Sequence, residues 1–223
     1  MTDEKRSLPV VLIGFLSGLV LVLVIGGFMM LTGGDGDAGA LDFSSLDPVE
    51  AINGFSTEEE RIDVSFAALN SFYGPRAHEL RDAALANLGS ADPDVRFAAV
   101  YGFTLTADIS DLDSLRSLLL STDVLERAMA AEALLYLGDP GGFPPLIDAL
   151  NSSESVWFLH RPQPVWEIAR LLLMDYAQQD LGLLDATDAA SAAAARSTWE
   201  TWWQENRDTL RFDASVGAFV SEP

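Results

Sequence analysis

From Leu8 to Leu31 the chain carries no charge, and only glycines, Pro9 and Ser17 interrupt the apolar run. A helix needs about 20 apolar residues to cross a hydrocarbon layer of about 30 Å. In that layer every backbone amide must be satisfied within the segment, so a single span has to be helical. The sequence therefore predicts a transmembrane helix over residues 8–32, preceded by a short N-terminal tail, 1–7. Lys5 and Arg6 flank it on one side, the first charges on the other are Asp35 and Asp37, and no further basic residue occurs before Arg61. Basic flanks stay in the cytoplasm. The expected arrangement is a cytoplasmic N-terminus with everything after the span periplasmic or extracellular.

Ala38-Gly39-Ala40 has the small-x-small form of a signal-peptidase site, which is the competing reading of this region. The apolar stretch exceeds the roughly 7–15 residues usual for a cleaved signal, which favours an uncleaved anchor. Either way the rest of the chain is exported. Gly14 and Gly18 form a GxxxG pair, and Gly26 lies two turns further along the same face. Small residues so placed let a second transmembrane helix approach closely, so these three glycines are the expected helix–helix contact.

Asp3 and Glu4 balance Lys5 and Arg6, so the whole formal charge of −21 lies beyond the anchor. A field of that sign repels nucleic acid and anionic headgroups and favours cationic partners. There is no cysteine, which excludes disulfides, thiolate metal sites and cysteine nucleophiles. His78 and His160 are the only imidazoles and stand in no HxxH or HExxH frame. P-loop and GxSxG patterns are missing as well, and no catalytic, cofactor or metal residues are assigned.

Residues 33–46 read as a flexible acidic tether rich in Gly and Asp. From Asp47-Pro48 onward the pattern is helical. Ser56-Thr57-Glu58-Glu59 has the spacing of a capping box, and further helical runs are expected at about 76–88, 93–106, 111–120, 123–137, 142–150, 163–179 and 187–208. Ala and Leu dominate where a strand would need β-branched residues, so the expectation is an all-α domain over 47–212 with a C-terminal tail, 213–223.

Two of these runs repeat. Val95-Arg96-Phe97-Ala98-Ala99-Val100-Tyr101 and Glu126-Arg127-Ala128-Met129-Ala130-Ala131-Glu132 lie 31 residues apart, and each sets an Arg ahead of small residues on one face. Val165-Trp166-Glu167-Ile168-Ala169-Arg170 continues the series after a longer gap. Helix pairs that recur every 30–45 residues are the mark of an α-solenoid. With the turns Ala91-Asp92-Pro93-Asp94 and Leu137-Gly138-Asp139-Pro140, the chain resembles the HEAT and HEAT-like repeat family. The resemblance implies a short solenoid of helix pairs that acts as a binding scaffold. It also implies a ladder of turn Asp and helix Arg side chains, here Asp94 with Arg96 and Asp123 with Arg127.

The connection from Ser152 to Pro164 departs from the family pattern. Trp157, Phe158, His160, Arg161 and Trp166 concentrate in the segment from Glu154 to Trp166, and aromatic residues with Arg are enriched at binding hot spots. They are the candidate partner-binding residues. Trp199, Trp202 and Trp203 fall at i, i+3 and i+4 on one helical face and are read as the capping core of the last repeat. The functional expectation is a membrane-anchored scaffold for membrane-bound or periplasmic proteins, plausible as an accessory subunit of a larger membrane complex. The alternatives are a structural spacer or a lyase-like or chaperone-like enzyme, such as some HEAT-like proteins are.

Overall fold

A computed structural model describes residues 45–55, 59–72, 74–158 and 161–221. The anchor with Gly14, Gly18 and Gly26, the tether as far as Ser44, residues 56–58 of the capping box and His160 lie outside them. Among the described residues no helix is long and apolar enough to cross a membrane.

The described chain is mostly helical. Its α-helices are α1 (Pro48–Asn53), α2 (Glu59–Asn70), α3 (Ala77–Asn87), α4 (Pro93–Thr106), α5 (Leu112–Leu118), α6 (Val124–Tyr136), α7 (Phe143–Ala149), α8 (Val165–Ala177) and α9 (Ala189–Asn206). The all-α expectation fails in two places. Ser155–Phe158 (β1) pairs with Arg161–Pro164 (β2), and Leu210–Asp213 (β3) pairs with Ala218–Ser221 (β4). Two compact units are present: one takes in the described residues of 45–107 with 157, 158 and 161, the other 108–156 with 162–221.

In the first unit α1 packs on α3 and α4, and α2 packs on α4. Asp47 starts α1 by accepting from Val49 N at 2.8 Å and Glu50 N at 3.1 Å, with Pro48 in the first turn where no amide partner is lost. The core is aromatic. Phe55 meets Phe66 at 5.4 Å and Phe97 at 5.3 Å, and Phe66 meets Tyr101 at 4.9 Å, edge to face in the first and last cases. Offset and edge contacts of this kind are the favourable geometry for ring quadrupoles. The Arg76 guanidinium lies 4.3 Å from the Phe72 ring centre, donates to Leu46 O at 2.7 Å and pairs with Glu79 at 2.8 Å. That contact with Glu79 raises the pKa of Arg76 and lowers that of Glu79.

The second unit surrounds a larger core. It runs from Val124, Ala131 and Leu135 of α6 through Phe143, Leu146 and Leu150 to Trp166, Leu172, Leu173 and Tyr176 of α8. Trp199 of α9 is fully buried, and its ring stands 5.4 Å from that of Trp202. Trp202 and Trp203 reach Phe143 at 5.2 and 5.9 Å. Residues 210–221, set apart in sequence as the domain edge and tail, fold as the β3–β4 hairpin in register Leu210↔Ser221 through Asp213↔Ala218. Leu210, Ala218 and Phe219 are buried, with Phe219 5.2 Å from Phe143. Asp213 shapes the turn by accepting from Ser215 N at 2.8 Å, and Gly217 takes the left-handed φ of +69° that a side chain would resist.

Two polar groups are buried in this core without a hydrogen-bond partner among the described residues, the Tyr176 hydroxyl and the Trp199 indole N–H. Burial pushes the pKa of Tyr176 well above the ordinary phenol value, with the charges of Glu132 and Asp175 adding to the shift. A group with a raised folded pKa stabilises the fold below its unfolded pKa and loses that contribution as pH rises through the folded one. Unfolding titrations should therefore show stability falling above about pH 10, where a free phenol ionises. Tyr176→Phe removes an orphaned hydroxyl and is expected to be neutral, or stabilising by up to about 1 kcal/mol, because no hydrogen bond is lost. A loss of 2 kcal/mol or more would show that the hydroxyl has a partner after all.

Candidate partner-binding site

The site is best read from the turns. Helices α3, α5 and α7 end at Asn87, Leu118 and Ala149, at a constant spacing of 31 residues. Each is followed by a serine at the same spacing: Ser90, Ser121 and Ser152. These side chains do the same thing. Ser90 Oγ accepts from Asp92 N at 3.2 Å, Ser121 Oγ from Asp123 N at 3.1 Å, and Ser152 Oγ from Glu154 N at 3.1 Å. A hydroxyl bonded to the amide two residues on is a local turn that competes with helix and so separates the two helices of a pair.

The residue that receives this bond then caps the next helix. Asp92 accepts from Asp94 N at 2.9 Å ahead of α4, and Asp123 accepts from Leu125 N at 2.8 Å ahead of α6. Four residues after each cap an arginine folds back on the turn: Arg96 Nη1 donates to Ser90 O at 3.0 Å and Arg127 Nη1 to Ser121 O at 2.8 Å. The ladder expected from sequence therefore needs a change of register. Asp92, not Asp94, is the counterpart of Asp123, and both arginines hold a turn carbonyl. The nearest carboxylate to Arg127 in an ion pair is Asp148, at 4.0 Å.

The first helices of the pairs share a second device. Asp108 caps a single 3₁₀ turn before α5 and Asp139 caps another before α7, again 31 residues apart. Arg116 of α5 grips Asp139 with its Nε at 2.9 Å and Nη2 at 2.8 Å, which raises the pKa of the arginine.

At the third turn the period breaks. After Glu154 the helix that should begin is delayed by ten residues, 155–164, which form β1 and β2. The interruption is closed at its base, since Val165 N donates to Glu154 O at 2.9 Å. Without these ten residues, Ser152-Ser153-Glu154 would run into Val165-Trp166-Glu167 as Ser121-Thr122-Asp123 runs into Val124-Leu125-Glu126. The β1–β2 hairpin is thus an insertion between a cap and its helix. Insertions in repeat folds fall on one face and often serve binding.

Of the five residues singled out in sequence, Trp157 and Phe158 lie in β1 and Arg161 in β2, with their side chains outside the described part, as is His160. Trp166 is different. It belongs to the core on α8, 8% exposed, and so lies in the wall of the repeat, not on a docking face. Sequence reading also passed over Ser90, Ser121, Ser152 and Glu154, whose signal is the 31-residue recurrence itself. Among the described residues no group of three or more His, Asp or Glu side chains could hold a metal ion. Asp175, half-buried on α8, has its pKa raised by desolvation.

No family model matches this chain, and no curated protein or solved structure matches it either.

Proposed function

We propose that the chain is a membrane-anchored, extracytoplasmic HEAT-like scaffold that docks other proteins and serves as an accessory subunit of a larger membrane complex. The observation that carries this reading is the ten-residue hairpin set into an otherwise regular 31-residue helix-pair period. A spacer gains nothing from breaking its own repeat, whereas a docking protein gains an added element that carries Val156, Trp157 and Phe158. The apolar run of residues 8–31 supports the anchored half of the proposal. Anchoring would hold the hairpin at high effective concentration beside membrane partners, so a modest contact suffices.

The test is extraction of the tagged full chain in mild detergent, native mass spectrometry of what accompanies it, and the same measurement on a variant lacking residues 155–164. Glu154 and Val165 already touch through a backbone hydrogen bond, so their direct joining is expected to shift stability by less than about 1 kcal/mol. A stoichiometric membrane partner with the full chain, lost on excision, is the expected result. A chain that stays monomeric under mild conditions, or a partner retained after excision, would overturn the proposal.

A further inference from the structure

The three turns that carry Ser90, Ser121 and Ser152 share more than a hydrogen bond. In each, the serine is half-buried and the residues on both sides of it are exposed: Gly89 and Ala91, Leu120 and Thr122, Asn151 and Ser153. Leu120 shows how far out the first of these positions lies, since it is 85% exposed. The repeat thus uses the middle side chain and leaves its two neighbours to solvent. In the third turn those neighbours are an asparagine and a serine. Asn151-Ser152-Ser153 is an N-x-[ST] signature, the acceptor pattern for an N-linked glycan.

Of the five asparagines in the chain, Asn151 alone begins such a signature. The side chains separate it further. Asn70, Asn87 and Asn206 each donate Nδ2 to the carbonyl four residues back, Phe66 O, Ala83 O and Trp202 O, at 2.8 Å. Asn53 is exposed but runs into Gly54-Phe55. Asn151 is held by its backbone, whose N–H donates to Asp148 O at 3.2 Å. Neither its carboxamide nor the Ser153 hydroxyl makes a hydrogen bond among the described residues. An amide nitrogen is a poor nucleophile because its lone pair is shared with the carbonyl. To react it must be free to turn within the grip of an enzyme, and a carboxamide spent on the protein's own backbone is not.

We infer that Asn151 is a glycosylation site, with a lipid-linked glycosyl phosphate as the donor class. In the transfer, Asn151 Nδ2 bonds to the anomeric carbon of the sugar. The bond from that carbon to the phosphate oxygen breaks, the phosphate leaves with the electron pair, and Nδ2 gives up one proton. Nothing is oxidised or reduced. The turn itself is held by Ser152 Oγ and by the backbone bonds of Asn151 and Ser152, so the groups that react are not the groups that hold the fold. This inference rests on the extracytoplasmic half of the scaffold reading, because such acceptors are used on surface loops of secreted chains. It goes beyond that reading by naming a covalent modification.

The test is mass spectrometry of the full chain recovered from the membranes of the cells that make it, intact and after protease digestion. The mass of one glycan on Asn151 is expected. Asn151→Gln and Ser153→Ala should each lose it. Ser153→Thr should keep it because the signature is preserved, and Ser152→Ala because the middle residue can be anything but proline. Leu120→Asn sets the same acceptor ahead of Ser121 and Thr122 in the second turn and should gain a second glycan. A bare Asn151, a glycan that survives Asn151→Gln, or its loss in Ser153→Thr would overturn the inference. If Asn151 is bare while Leu120→Asn is glycosylated, the chain is exported and the inference alone falls. If both stay bare, the inference falls again, and protease added to intact cells decides on export. Digestion of residues beyond the anchor would keep that reading, and their protection would sink it.

Discussion

Trp199→Ala is expected to cost about 3–5 kcal/mol, read as a shift of the denaturant midpoint at unchanged slope. Trp199 is fully buried at the centre of the second unit, where α9 meets α7 and α8. Its removal leaves a cavity bounded by rigid rings, because its neighbour Trp202 is held against Phe143 at 5.2 Å. Such a wall cannot collapse into the space, so the cavity penalty adds to the lost transfer free energy. Trp199→Phe separates the two contributions. It keeps most of the apolar volume and discards an indole N–H that has no partner, so its cost should be clearly smaller than that of alanine. Equal losses for both variants would show that the N–H, not the volume, matters.

Gly142→Ala should cost about 3 kcal/mol, the upper end of overpacking, although it adds a single methyl group. Gly142 ends the 3₁₀ turn before α7, where that turn lies against α6. A Cβ there would press into the backbone carbonyl oxygen of Ala131 and come within 2.7 Å of Leu135 Cγ. The leucine can rotate away. The carbonyl belongs to a helix and cannot. Gly102 provides the contrast, since the atoms that a Cβ would meet are those of the Leu80 side chain, the nearest at 3.1 Å. Gly102→Ala is therefore expected to cost less than half as much. Thermal unfolding of both variants decides whether the α6 backbone is as unyielding as this argument requires.

Much of the helical plan was legible because the turns are chemically explicit. The run expected at 93–106 and α4 coincide, since Asp92 and Pro93 mark its start without ambiguity. Helix α6 was placed to within one residue at each end for similar reasons, an Asp cap before it and Gly138 after. The ladder was misplaced at Asp94 because two aspartates flank Pro93, and composition cannot choose between them. The geometry of a cap can, because proline at the first helical position leaves only the residue before it to serve as the cap.

The strands were missed for a different reason. Four residues are too few to display a period of two, and Pro162 and Pro164 argue against a strand in the interior of a sheet. Leu210-Arg211-Phe212-Asp213 does alternate, but it follows directly on α9 and reads as its continuation. Trp166 illustrates a limit of residue type. Beside a loop of Trp, Phe and Arg it looks like part of a recognition surface, yet Trp166, Ala169, Leu173 and Tyr176 fall at helical spacing and share the buried side of α8. Phase along the helix, not the kind of residue, decided where it went.

The bond that ties Val165 to Glu154 has a consequence for how such a chain can change. A segment whose two ends are already held together pays almost nothing more when its length is altered, about 0.6 kcal/mol for each doubling. The third turn is therefore a graft point. Loops of other lengths and sequences could be spliced between these two residues, by natural insertion or by design, while the helices on either side keep their register. What varies between descendants of such a protein would then be what it recognises, and what stays constant would be the support that presents it.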